Sequence, residues 1–199
     1  MTDTGLRQRK KLERMRHVQW TALDLFEARG FDAVTIEEIA GAAEVSAPTI
    51  YRHFATKEGI VLWDEYDPLL FESLARRLRE QPLLDAIQAA ILRPLDRVYT
   101  ADAARILRRT KLVHEHAGLR AATAAGLRDM RCELARIFVA AKACRDALEA
   151  DVVAGATVSA LEIAIEHWAR AQRKVPLRRF IDQALRRLRR FADQPGARR

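Results

Sequence analysis

Cysteine is nearly absent from this 199-residue chain, which has two. That excludes a disulfide scaffold and a four-thiolate zinc site, and it suits a reducing compartment. Glycine and proline number 8 and 6 and are dispersed singly, which leaves no glycine-rich phosphate loop. No apolar run approaches the roughly 18–20 residues of a membrane span, and the polar N-terminus carries no signal-peptide core. A cytoplasmic protein without a membrane partner is expected. β-Branched residues are sparse, and no stretch alternates apolar and polar residues convincingly enough to be a strand.

What the chain has in abundance is helix formers. Alanine and leucine supply 35 and 23 residues, and arginine outnumbers lysine 29 to 6. An all-α fold follows as the expectation. Lysine and arginine total 35 against 27 carboxylates, and the surplus is concentrated in residues 176–199, with 8 basic and 2 acidic side chains. A basic balance invites a nucleic-acid partner. Here, however, its main source lies far from the motif developed below, so net charge carries little weight.

From Arg7 to Arg29 the apolar residues Met15, Val18, Ala22, Leu25 and Phe26 share one helical face, and Gly30 stands at the expected C-cap. Thr35-Ile-Glu-Glu38 is a capping box that opens a second, short helix ending near Ala43. Ser46 is a further N-cap candidate, and Pro48 is tolerable in the first turn of a third helix running to about Phe54. Thr56-Lys57-Glu58 opens a fourth, long helix that Pro68 should kink. Later helices are expected at 83–100, 102–116, 119–145, 147–173 and 176–193, with a kink at Pro94 and a disordered tail at 195–199.

Two short capped helices joined by a tight turn, after a longer amphipathic one, make a helix-turn-helix in a three-helix domain. Ala40 marks the close approach, and Ile36, Ile39, Val45, Ile50 and Phe54 form the small core. At these residues the sequence resembles the TetR family of transcriptional regulators. Residues 35–58 follow that family's pattern almost throughout, and Thr49-Ile-Tyr-Arg-His-Phe54 followed by Lys57-Glu58 is a specific signature. The likeness covers residues 10–62; beyond them only length, helical content and helix order agree. Glu44 departs from the pattern, standing where the family usually has glycine in the turn. A positive φ at a non-glycine residue costs on the order of 1 kcal/mol.

The resemblance implies a homodimer that inserts two recognition helices into successive major grooves of a palindromic double-stranded DNA operator. Carried over by position, Thr35, Ser46, Tyr51, His53 and Lys57 would contact phosphate, while Ala47, Pro48, Thr49 and Arg52 would face bases. Hydroxyls and helix N-termini bind phosphate and set register, and side chains early in a recognition helix read base edges. Lys57 gains nothing from the dipole at a helix start, which favours an external anion. Each residue also has a structural reading: capping for Thr35 and Ser46, core for Tyr51, local packing for His53, and solvent or phosphate for Arg52. The basic segment Arg7, Arg9, Lys10, Lys11, Arg14, Arg16 is either an arm along the DNA backbone or a solvated helix end. The expected domains are a DNA-binding unit at 1–57, with its motif at 35–54, and a helical ligand-binding and dimerisation bundle at 58–199.

The segment 147–173 is apolar nearly all round, too much for a surface helix, and should be buried between the core and a partner. In the last helix Leu177, Ile181, Ala184, Leu188 and Phe191 form a stripe with arginines opposite. As the resemblance implies, these two helices would be half of a four-helix homodimer interface. The middle helices, 83–145, would then hold a small-molecule effector. Candidate lining groups are Trp63, Tyr66, Phe71, Tyr99, His114, Phe138 and Trp168, although an aromatic at helical spacing is more often plain core. With 13 aromatic residues in all, an aliphatic pocket is a better expectation than one that stacks flat cationic drugs. The C-terminal half is also loosely similar to family members that bind acyl-CoA or fatty-acyl ligands. Arg105, Arg108, Arg109 and Lys111 would then meet phosphates, but Ile106, Thr110 and Val113 form that helix's inner face and turn these cations outward.

No His-Glu-x-x-His, Glu-x-x-His or Cys-x-x-Cys occurs, and His114 and His116 diverge by about 200° on a helix. No catalytic residue, metal site or cofactor is expected. The reading is therefore a ligand-responsive regulator, a repressor released from its operator by an apolar or acyl-type effector. The alternatives are an activator of the same fold, or a helical small-molecule binder or enzyme that no longer reads DNA.

Overall fold

The computed structural model describes residues 3–171 and 175–192, and among these it contains nine helices and no strand. They are α1 (Asp3–Arg29), α2 (Ile36–Ala42), α3 (Ala47–Phe54), α4 (Lys57–Leu62), α5 (Asp67–Arg77), α6 (Leu83–Glu115), α7 (Ala117–Ala140), α8 (Ala147–Arg170) and α9 (Leu177–Ala192). The chain divides into two compact units. The first is Met1–Glu65 with Lys111–Thr123; the second is Tyr66–Thr110 with Ala124–Arg199.

The first unit extends beyond residue 57 because its core needs more than three helices. Met15, Val18, Ala22 and Phe26 of α1 are buried with Ile39 and Ala40 of α2, Ile50 and Phe54 of α3, and Ile60 and Val61 of α4. Leu112 and Leu119 complete the same cluster, which is why the end of α6 and the start of α7 belong here. Ile36 and Val45, expected in the core, lie partly buried at its edge.

The long fourth helix expected from the sequence is two helices. α4 ends at Leu62, and Pro68 stands in the first turn of α5 rather than inside a kinked rod. The break is held from outside: the buried amide of Gln19 donates to the carbonyls of Ile60 (2.7 Å), Val61 (3.1 Å) and Trp63 (3.0 Å). Those are the carbonyls that the end of a helix leaves unpaired. Conversely, the break expected near residue 101 is absent, and α6 runs continuously with Pro94 inside it.

In the second unit, Leu74, Ala86, Ala90, Phe138, Ala154 and Trp168 are buried in one core. α8 and α9 pack along each other, and Leu177, Ile181 and Leu185 are buried on the α9 side. α7 stops at Ala140 rather than 145, because Lys142 turns to φ 53° while Ala143 N–H and Lys142 N–H donate to the Phe138 and Val139 carbonyls, each at 3.0 Å. Cys144 therefore lies beyond the helix that carries Cys132. The expected tail at 195–199 lies outside the described residues.

Candidate nucleic-acid interface

Local chemistry sets the ends of α2 and α3. The Thr35 hydroxyl accepts from Glu38 N–H (3.2 Å), and Thr35 N–H donates to the Glu38 carboxylate (2.8 Å), which closes the capping box. Arg29 adds an ion pair at 2.7 Å. The backbone hydrogen bond from Thr35 and the Arg29 guanidinium hold the Glu38 carboxyl down to about 2. At the other end of α2, Val45 N–H donates to Ala40 C=O (3.0 Å) and Glu44 N–H to Gly41 C=O (3.3 Å), a Schellman turn. Glu44 takes the left-handed position of that turn at φ 53°, the strained geometry its departure from glycine foretold.

α3 follows, with Ser46 at its N-cap and Pro48 in its first turn. The Ser46 hydroxyl makes no capping bond; it lies 2.8 Å from the Thr49 hydroxyl. Ile50 and Phe54 are the buried anchors of α3. Ser46, Pro48, Tyr51 and Arg52 are exposed, and Ala47, Thr49 and His53 are half-buried. Seven of the nine residues proposed for DNA contact thus gather on one short helix and its cap. Thr35 stands at the start of α2, with its hydroxyl engaged in the capping box.

Tyr51, 48% exposed, donates its hydroxyl to Glu37 of α2 at 3.2 Å, and that carboxylate raises the Tyr51 pKa above its ordinary value. The His53 imidazole is pushed below its ordinary value, first by burial and then by the cations Lys11, Arg52 and Arg14.

Lys57 sits differently from the external anion ligand that its sequence position suggested. Its ammonium points inward and donates to the carbonyls of Phe31 (2.7 Å), Val34 (2.9 Å) and Asp32 (3.4 Å), and it rests 4.5 Å above the centre of the Phe31 ring. The amine thus supplies donors to carbonyls of the loop between α1 and α2. Arg16, expected in the basic arm, is likewise committed: its guanidinium grips the buried Glu65 carboxylate through two nitrogens, at 2.6 to 2.8 Å.

Sequence reasoning missed Gln19 and Glu65. The signal for Gln19 was its place on the apolar face of α1, between Met15 and Ala22, where an amide must find partners. Glu65 gave no such signal, since its partner lies 49 residues away.

The residues expected to line an effector pocket are distributed as follows. Trp63 belongs to the first unit and packs edge-on against Phe54, with ring centres 5.9 Å apart. His114, also in the first unit, is exposed near the end of α6. In the second unit Phe138 and Trp168 are fully buried, and Phe71 packs against the same core. The Tyr66 hydroxyl donates to Asp102. The side chain of Tyr99 lies outside the described residues. Arg105 corrects the outward orientation expected for the cations of this helix: it is 1% exposed and pairs with Asp102 at 2.7 Å. The carboxylate one turn earlier is what makes a buried guanidinium tolerable.

Comparison with known proteins gives a consistent result. A family model for bacterial regulatory proteins of the tetR family matches residues 21–62, and one for the MftR C-terminal domain matches residues 81–192, more than half of the chain. The HTH-type transcriptional regulator TcmR of Streptomyces glaucescens is 34% identical over 143 residues, which is 68% of this chain and 63% of that protein. Just under two thirds of that relative's length is therefore spanned. Among solved structures, SmeT, the repressor of the Stenotrophomonas maltophilia multidrug efflux pump SmeDEF, matches in its complex with triclosan. Its TM-score is 0.56 at 15% identity, over 87% of this chain and 90% of that one. FadR of Thermus thermophilus, a transcriptional repressor in complex with lauroyl-CoA, matches with a TM-score of 0.54 at 20% identity, over 86% and 91%. At such identities these two report likeness of fold.

Proposed function

The chain belongs to the TetR family of bacterial regulatory proteins, and from that premise we propose that it is a DNA-binding transcriptional regulator. In this reading it is a homodimeric repressor that leaves a palindromic operator when a small apolar or acyl-type effector binds. The observation that carries the reading is the construction of α3. Two buried anchors, Ile50 and Phe54, fix the helix, and the opposite side presents Ser46, Pro48, Tyr51 and Arg52 to solvent. A hydroxyl-rich start followed by arginine and histidine suits phosphate at the rim and base edges at the centre.

The second copy is supported by α8, on which Leu148, Val152 and Ile163 are exposed at 73%, 60% and 53%. Apolar side chains in such number on one helix suit an interface. The apolar character of the effector is supported by the aliphatic core of the second unit, and by triclosan and lauroyl-CoA in the complexes of its structural relatives. Linkage requires that operator DNA weaken effector binding by the factor by which effector weakens operator binding.

The test is fluorescence anisotropy of the full chain on DNA from upstream of its own gene, at several salt concentrations. A Tyr51→Ala, Arg52→Ala variant runs beside it. Binding that falls steeply with salt and is lost in the variant supports the reading. Failure to bind this fragment or unrelated duplexes at low salt overturns it in favour of a small-molecule binder.

A further inference from the structure

We propose that the groove between α1 and α3 is a seat for one phosphate of the DNA backbone, and that filling it places a proton on His53. The inference rests on the DNA-binding reading above and adds to it the charge state in which that surface binds.

The groove has a firm apolar floor, made of the buried side chains of Met15, Val18, Ile50 and Phe54. Lys11 and Arg14 rise from α1 on one side, and Thr49 and His53 from α3 on the other. Among the described residues, the charges acting on His53 come from these two helices: Lys11 and Arg14 from α1, and Arg52 from α3. All are cations, and no carboxylate is among them. Among the described residues Lys11, Arg14 and Arg52 make no ion pair. The nearby carboxylates are committed elsewhere, Glu13 to Arg9 at 3.3 Å and Glu37 to Tyr51. The result is a half-buried imidazole beside three cations that no described carboxylate pairs with.

That arrangement is unfavourable to a fourth positive charge and is matched to an anion. In the free protein, burial and the three cations keep His53 neutral at a pH where an ordinary histidine would be partly charged. A phosphate in the groove reverses both effects. It offsets the charge of Lys11, Arg14 and Arg52, and it accepts a charge-assisted hydrogen bond from the imidazolium. His53 then titrates at a higher pH in the complex than in the free protein. The sign follows directly. Binding takes up a proton, so affinity rises as pH falls between the two titration points, and it is level above the upper point and below the lower one. The rise approaches about tenfold per pH unit for each head engaged.

Phosphate contacts need no operator, so the experiment uses the full chain and a fluorescein-labelled duplex of arbitrary sequence, about two helical turns long. Anisotropy is read at low salt between about pH 5.5 and 8. The expected result is tighter binding toward low pH. In His53→Gln that pH dependence should flatten, and the low-pH salt dependence should weaken by about one phosphate contact per head. A Lys11→Gln, Arg14→Gln variant, altered only at exposed positions, should raise the His53 titration in the free protein and shrink the proton uptake. In parallel, the ring protons of His53 followed by NMR should titrate at a higher pH with saturating duplex than without it. Equal pH dependence in wild type and His53→Gln, or an unmoved His53 titration, overturns the inference while leaving DNA binding intact. Absence of duplex binding at every pH overturns the DNA-binding reading itself, and the phosphate seat with it.

Discussion

A lysine at the first turn of a helix is normally an electrostatic misfit, and Lys57 shows how such a misfit is resolved inside the protein. Its three donors meet the Phe31, Asp32 and Val34 carbonyls, so its removal should act on stability first. Lys57→Met keeps the stem and deletes the donors. We expect a loss of about 1 kcal/mol in urea unfolding, the order of a hydrogen bond to carbonyls that are only partly buried. Unchanged stability combined with weaker, less salt-sensitive DNA binding would instead return Lys57 to the phosphate role that its sequence position suggested. Gly59 is constrained even more locally. A Cβ there would collide with the carbonyl oxygen of Phe54, the last residue of α3. Because that obstacle is backbone, Gly59→Ala should force a shift costing about 1–3 kcal/mol, visible as a lower unfolding midpoint.

At the scale of the element, the parts legible in the sequence were those whose cause lies within a few residues. The Thr35–Glu38 capping box, Pro48 in the first turn of α3, the Gly30 cap and the left-handed Glu44 are all set by near neighbours. The break between α4 and α5 was not legible, because the amide that holds it belongs to Gln19, 41 residues earlier than Ile60. The burial of Arg105 was hidden for a related reason: the helical face shows only where a side chain starts, and Asp102 decides where it can end. Two predictions belong to these elements. Glu44→Gly relieves the left-handed strain and should stabilise the fold by up to about 1 kcal/mol in urea unfolding. The Glu38 carboxyl, held to about 2 from an ordinary 4.5, contributes stability that is fully present above pH 4.5 and is lost as pH falls through 2. Acid titration of unfolding should show that segment in the wild type and lack it in Glu38→Gln.

For the whole molecule, the decisive quantity is the number of copies. The exposed apolar residues of α8 are the ones the proposed dimer would cover, so Val152→Glu with Ile163→Glu should leave a monomer in light scattering. The helical content should be preserved, since neither side chain is buried in the chain itself. A folded double variant that stays dimeric would move the interface elsewhere. The stripe expected on α9 divides in the same way: Leu177 and Ile181 are buried in their own chain, whereas Phe191 is 72% exposed. The anchoring of α3 carries an evolutionary consequence. Since Ile50 and Phe54 are the buried residues of α3, substitutions at the exposed Pro48, Tyr51 and Arg52 leave its apolar anchoring intact and cost at most the exposed Tyr51–Glu37 hydrogen bond. If α3 reads DNA as proposed, target preference can drift by single steps among descendants of this gene without any passing through an unfolded ancestor. A library randomised at those three positions should yield soluble proteins with new sequence tastes far more often than one randomised at the anchors.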